Sequence, residues 1–174
     1  MRLNWADALQ DLAEWTVLAP ALLGADIEAV GLPQQLRLLA RSSTPELAAV
    51  LVENQQCGQW IRVYYQPAGG GGWRAVGQIV TAAASDRFWS APAGEPAWVH
   101  ATGTLAIGAD PANVIAHDLV ILYRPGVSAL AIGDERLELD GSGVALIVRP
   151  TADRPPLAAV ITGDLVPIWY PPGE

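Results

Sequence analysis

Lysine is missing from the 174-residue chain, so all ten of its basic residues are arginines. A P-loop needs a lysine on the β- and γ-phosphates, and a protein kinase needs one on the α- and β-phosphates. Schiff-base and pyridoxal-phosphate chemistry need a lysine amine. All of these are closed to this chain. Cysteine is nearly missing too, with Cys57 standing alone. One thiol cannot build an internal disulfide framework, a multi-cysteine zinc site or an iron–sulfur cluster. It also fits a reducing compartment. Phenylalanine occurs once, at Phe88, and histidine twice, at His100 and His117.

Positive charge is short as well. Ten arginines face eighteen acidic residues, for a formal net charge of −8. Nucleic-acid binders draw most of their non-specific affinity from a basic surface, so direct nucleic-acid binding is not expected. Between Asn54 and Ser85 the only charges are Arg62 and Arg74, a thin basis for a phosphate groove. Long apolar runs are absent near the N-terminus. Asp7, Asp11 and Glu14 interrupt any secretory signal, and the stretch 15–25 contains Pro20 and is too short to span a bilayer. The expectation is a cytoplasmic protein with no membrane association and no cofactor.

What is present is apolar. Hydrophobic residues make up 51% of the chain and charged residues only 16%, the reverse of a disordered composition. The length suits one domain. Trp5, Ala8, Leu9, Leu12 and Trp15 recur at three- and four-residue spacing, which predicts an amphipathic helix over about 5–23. Asn4 can cap it, Pro20 is expected to end or restart it, and Gly24 to terminate it.

From about residue 31 to 170 the pattern is strand and turn. In 34–41, Leu36, Leu38 and Ala40 are expected on one side and Arg37 and Arg41 on the other. A strand, or alternatively a short helix, follows at 46–53, and strands at 60–66 and 73–82. Further strands are predicted near 97–107, 117–124, 127–132, 135–139, 143–149, 157–162 and 165–170. Clusters such as RPG, GDE, DGSG and TGD separate them. The predicted fold is a single α+β domain, mostly antiparallel β, either a barrel or a two-sheet sandwich with an N-terminal amphipathic helix. Residues 31–54 and 141–164 align without a gap and share LAAV, so a duplicated hairpin is a candidate repeat.

The candidate catalytic residues are His100, His117 and Asp118. A turn centred near Gly108 or Ala109 would set the two histidines opposite each other on one face, with Asp118 on the other. Paired imidazoles could shuttle a proton, but no third ligand completes a metal site. The plainer reading makes them polar residues at strand ends. The candidate binding residues are Trp60, Tyr64, Tyr65 and Trp73, flanking the loop Gly69–Gly72, together with Phe88 and Trp89 in SDRFWSAP. Trp60 and Tyr64 share one strand face and Tyr65 takes the other. These rings could line a pocket, or fill a core that has almost no phenylalanine. Gly69–Gly72 precedes no helix and is a loop, not a phosphate cradle. Asp110, Asp134, Asp140, Asp153 and Asp164 fall in turns, where aspartate bonds its own backbone.

Two functions fit these residues. One is a non-catalytic interaction module or accessory subunit, with a protein partner or a second copy of the chain. It calls for an exposed apolar patch near Phe88, Trp89, Trp60 or Trp73. The other is a β-barrel binding a small apolar ligand, as an isomerase or cyclase with His100 or His117 as acid/base.

Overall fold

The computed structural model describes residues 12–24, 32–81, 93–106, 114–151 and 153–170. Among these, one helix, α1 (Leu12–Leu23), precedes eleven strands. The strands are β1 (Leu36–Ser43), β2 (Ala48–Asn54), β3 (Gln59–Pro67), β4 (Trp73–Thr81), β5 (Ala97–Ala106), β6 (Val114–Tyr123), β7 (Ala129–Ile132), β8 (Glu135–Glu138), β9 (Val144–Arg149), β10 (Leu157–Ile161) and β11 (Asp164–Ile168). Every pairing is antiparallel. Three sheets result, and none closes into a barrel among the described residues. The first runs β1-β2-β3-β4, the second β5-β6-β9 and the third β11-β10-β7-β8.

The sheets and the helix stack in layers. Trp15, Ala19 and Leu22 of α1, spaced four and three residues apart, lie on Val50, Val52, Ile61, Val63 and Tyr65 of the first sheet. The opposite face of that sheet packs Ala49, Leu51, Trp60 and Tyr64 against Val120, Leu122, Leu146 and Val148 of the second. The far face of the second sheet packs Ile121, Ala145 and Ile147 against Leu130, Leu157, Ala159 and Ile168 of the third. Two of the three sheets are therefore buried on both faces. That is why β2 and β9 read as unbroken apolar runs instead of alternating.

Three details depart from the sequence expectation. Helix α1 runs through Pro20. A proline there removes one N–H and crowds the carbonyl of Thr16, yet only one turn follows, and its Ala21 and Leu22 are fully buried. The Gly24 N–H closes that turn on the Pro20 carbonyl at 2.9 Å. In β1 a bulge between Leu38 and Ala40 pairs Leu38 with Val52 but Ala40 with Leu51. Leu36 and Leu38 therefore face the helix layer, while Leu39 and Ala40 face the second sheet. Finally, β1 and β2 form a hairpin, but β9 and β10 belong to different sheets. A duplicated hairpin does not account for the likeness of 31–54 to 141–164.

The β10–β11 hairpin turns through Thr162 and Gly163, at φ 49° and 93°, between the paired Ile161 and Asp164. Both central residues have positive φ, as in a type I′ turn. A β-branched residue is strained there, whereas asparagine is favoured. Thr162→Asn is expected to raise unfolding stability by about 1 kcal/mol in urea denaturation. A drop in stability would contradict the turn geometry.

Candidate functional site

The most concentrated polar chemistry lies between the first and second sheets. Alternation along β3 puts Trp60, Arg62 and Tyr64 on the face turned to the second sheet, and Ile61, Val63 and Tyr65 on the face turned to α1. Alternation along β6 puts Asp118 on the same side as Ala116, Val120 and Leu122, facing the first sheet. Arg62 Nη1 donates to Asp118 Oδ2 at 2.6 Å, and the Tyr64 hydroxyl donates to Asp118 Oδ1. The side chains of this ion pair are 4% and 0% exposed. Gly103 lies directly opposite Asp118 in β5. A Cβ at Gly103 would collide with Asp118 Oδ1 and Arg62 Nη1, so the missing side chain is what makes room for the pair.

His100 reaches the same layer by a different route. A bulge between Val99 and Ala101 offsets the β5 register. The His100 ring then packs edge-on to Trp60, with centroids 5.7 Å apart and planes at 65°. Partial burial, then the Arg62 charge, pull its pKa below 6.5.

The two histidines do not oppose each other. His117 pairs with Thr104, because the innermost described pair is Ala106 with Val114, which centres the connection near residue 110 instead of 108–109, and an extra residue in β6, Ile115, shifts the pairing by one more. His117 is on the opposite side of β6 from Asp118 and lines a separate cleft with Thr104, at an Oγ1–Nδ1 distance of 3.3 Å. Of the aromatic candidates, Trp60 and Tyr64 join the interior cluster. Tyr65 instead faces α1 and donates its hydroxyl to the Trp15 carbonyl at 3.1 Å. Trp73 is half-buried beside the helix layer. Phe88 and Trp89 lie outside the described residues, as does Asp110.

Arg62 was not expected in the cluster, although the signal was present. It interrupts the apolar run WIRVYY, just as Asp118 interrupts IAHDLVILY. A charge inside a run buried on both faces needs a partner of opposite sign in the facing sheet.

The cluster's chemistry is restrained. Burial, then the Asp118 charge and its hydrogen bond, push the Tyr64 phenol well above its ordinary range, against the opposing pull of Arg62. Tyr64 thus stays a neutral donor, and both carboxylate oxygens of Asp118 are occupied. These groups fasten one sheet to the other and present no free acid or base to solvent. Among the described residues, no three His, Cys, Asp or Glu side chains gather as a metal site. No helix among them is long and apolar enough to cross a membrane.

The surface has its own anomaly in the third sheet. Leu130, Ile132, Leu157, Ala159, Val166 and Ile168 face inward. By register, Ala131 pairs with Ala158, and Ala158 with Pro167, while Val160 pairs with Ala129 and Leu165. The outward positions of three adjacent strands are therefore alanine, valine, leucine and proline. An antiparallel sheet facing water ordinarily alternates apolar-in with polar-out. Ala129 and Val160 are buried in this row, whereas Leu165 is 63% exposed and Trp169, next along the same side, 77%. Charge appears only at the β8 margin, as the Arg136–Glu138 pair.

No protein-family model, curated protein or solved structure matches the chain.

Two outcomes test the interior cluster. Asp118→Ala leaves the Arg62 charge buried without its partner and is expected to cost about 3–5 kcal/mol in urea denaturation. The triple change Arg62→Met, Tyr64→Phe and Asp118→Leu removes every polar partner together and is expected to recover most of that loss. The second outcome concerns pH. As pH falls through 6.5, the unfolded chain protonates His100 before the folded chain does, so stability drops between 6.5 and the lower folded pKa. His100→Gln is expected to flatten this part of the stability profile, and an unchanged slope would count against the placement of His100.

Proposed function

We propose that this chain is a non-catalytic interaction module, an accessory part of a larger protein assembly. The reading rests on the outer face of the third sheet. Its outward row of Ala131, Ala158, Leu165 and Pro167, continued by Trp169, is apolar where water would favour polar residues. Exposed tryptophan is characteristic of interface anchors. Pro167 lies in β11, an edge strand, and a proline there discourages strand addition. A partner would then dock on the face and not extend the edge.

The alternative of a small-molecule barrel has less behind it. Trp60 and Tyr64, the rings that would line such a cavity, pack into the core between two sheets. His100 leans on Trp60 within that layer, and His117 is on the other side of the second sheet.

The test compares the intact chain with Leu165→Asp/Trp169→Asp. Sedimentation equilibrium reads self-association, and affinity capture from the native host reads a heterologous partner. The expected result is an association that the double change weakens at least tenfold, about 1.4 kcal/mol, with no loss of thermal stability. A chain that stays monomeric and captures the same proteins as its variant would sink the reading.

A further inference from the structure

A second site lies at one end of the gap between the second and third sheets. Thr104 of β5 pairs with His117 of β6, and His117 pairs with Arg149 of β9. Directly opposed residues share a face, so these three side chains form a row across the second sheet, on the side turned to the third. The row borders a cleft of about 280 Å³. From the far side Arg154 enters, its guanidinium carbon 5.5 Å from the centroid of the Tyr170 ring. The Tyr170 hydroxyl donates to the Pro155 carbonyl at 2.8 Å, which fixes that ring as a platform.

Two arginines and a histidine line this cleft beside Asp153, while Asp118, also on its wall, gives its carboxylate to Arg62 and Tyr64 in the neighbouring layer. Arg149 stands directly across from His117. Arg149 is steadied by Asp153 at 3.3 Å and Glu135 at 3.7 Å. Both carboxylates are largely exposed, and exposed pairs of this kind are weak. An incoming anion can therefore displace Asp153 from Arg149 at little cost. A guanidinium fork matches the geometry of a carboxylate or a phosphate.

We infer that this cleft binds a small oxyanion, the carboxylate or phosphate of a compact organic acid or ester, held by His117, Arg149 and Arg154. The cleft volume is near the lower end for ligand sites, which limits the occupant to a few heavy atoms beyond its anionic group. The site is distinct from the apolar face of the third sheet and does not depend on it.

The chain's own composition supplies the readout. It has two histidines, and His100 faces the other layer, against Trp60. Proton NMR of the imidazole resonances, assigned with His117→Gln, follows titration with inorganic phosphate, with succinate, and with sodium chloride at matched ionic strength. The expected result is a saturable shift of His117, with His100 unmoved, for phosphate or succinate but not for chloride. A response to phosphate alone assigns a phosphate ligand, and a response to succinate alone a carboxylate. Arg149→Gln and Arg154→Gln are each expected to weaken binding at least tenfold. Unchanged His100 resonances show that each variant is folded, and if Arg149→Gln disturbs them, Arg154→Gln carries the test. No shift of His117 with either probe, an equal shift with chloride, or undiminished binding in the folded variants would overturn the assignment.

Discussion

The ion pair between Arg62 and Asp118 is the constraint on which the rest of the interior turns. Each residue sits mid-strand, in a different sheet, on a face otherwise packed with leucine, valine and alanine. Taking both charges out of water costs several kilocalories per mole, and the pair returns this only if geometry and extra hydrogen bonds are good. Here Tyr64 completes the carboxylate and Gly103 clears space for it. A slip of one residue in either strand would turn a charge into one of the neighbouring cores, against α1 or against the third sheet, with no partner waiting. The pair thus selects the register of β3 against β6 far more sharply than interchangeable aliphatic side chains would.

That selection matters because so much of this chain is apolar on every side. The strands β2, β3, β6 and β9 have little alternation to say which face belongs to which layer. Hydrophobic burial is non-directional and would tolerate several stackings. Specific polar links supply the direction that burial lacks. Between α1 and the first sheet, Trp15 Nε1 donates to Gln78 Oε1 at 2.8 Å and the Ala75 N–H donates to Thr16 Oγ1 at 3.0 Å. Between the first and second sheets, the Val148 N–H donates to Ser42 Oγ at 3.2 Å, in the same layer as the buried ion pair.

The same lack of alternation explains what could and could not be read from residues alone. Strand positions were legible because turn chemistry punctuates the chain. The β7–β8, β9 and β10–β11 segments fall between GDE, DGSG and TGD clusters much as expected. Which strand joins which sheet was not legible, because a run such as VALIV carries no mark of its neighbours. The two histidines show the cost of assuming a plain hairpin. The extra residue in β5 that brings His100 beside Trp60, and the pairing of Ala106 with Val114 that leads on to Thr104 opposite His117, were both invisible in the sequence. Arg62 and Asp118 were individually conspicuous as charges in apolar runs, but linking residues 56 apart in sequence required the topology.

The stack is also asymmetric, and the asymmetry bears on function. At one end the first sheet is covered by α1, whose Trp15, Ala19 and Leu22 close its apolar face. At the other end the third sheet has alanine, leucine and proline in the outward positions that charged residues ordinarily take in a water-facing sheet. The contrast is sharpest at β8, which does follow the rule: its outward Arg136 and Glu138 pair with each other at 2.5 Å and its Leu137 turns inward. One strand of the sheet is thus built for water, whereas its three neighbours are not. Small outward side chains such as Ala131 and Ala158 also keep that face flat, so an approaching surface can come close to the backbone while Leu165 and Trp169 stand out at the rim. A flat apolar centre with an aromatic margin departs from what water favours, and it lies on β10 and β11, outside the interior cluster that holds the fold together.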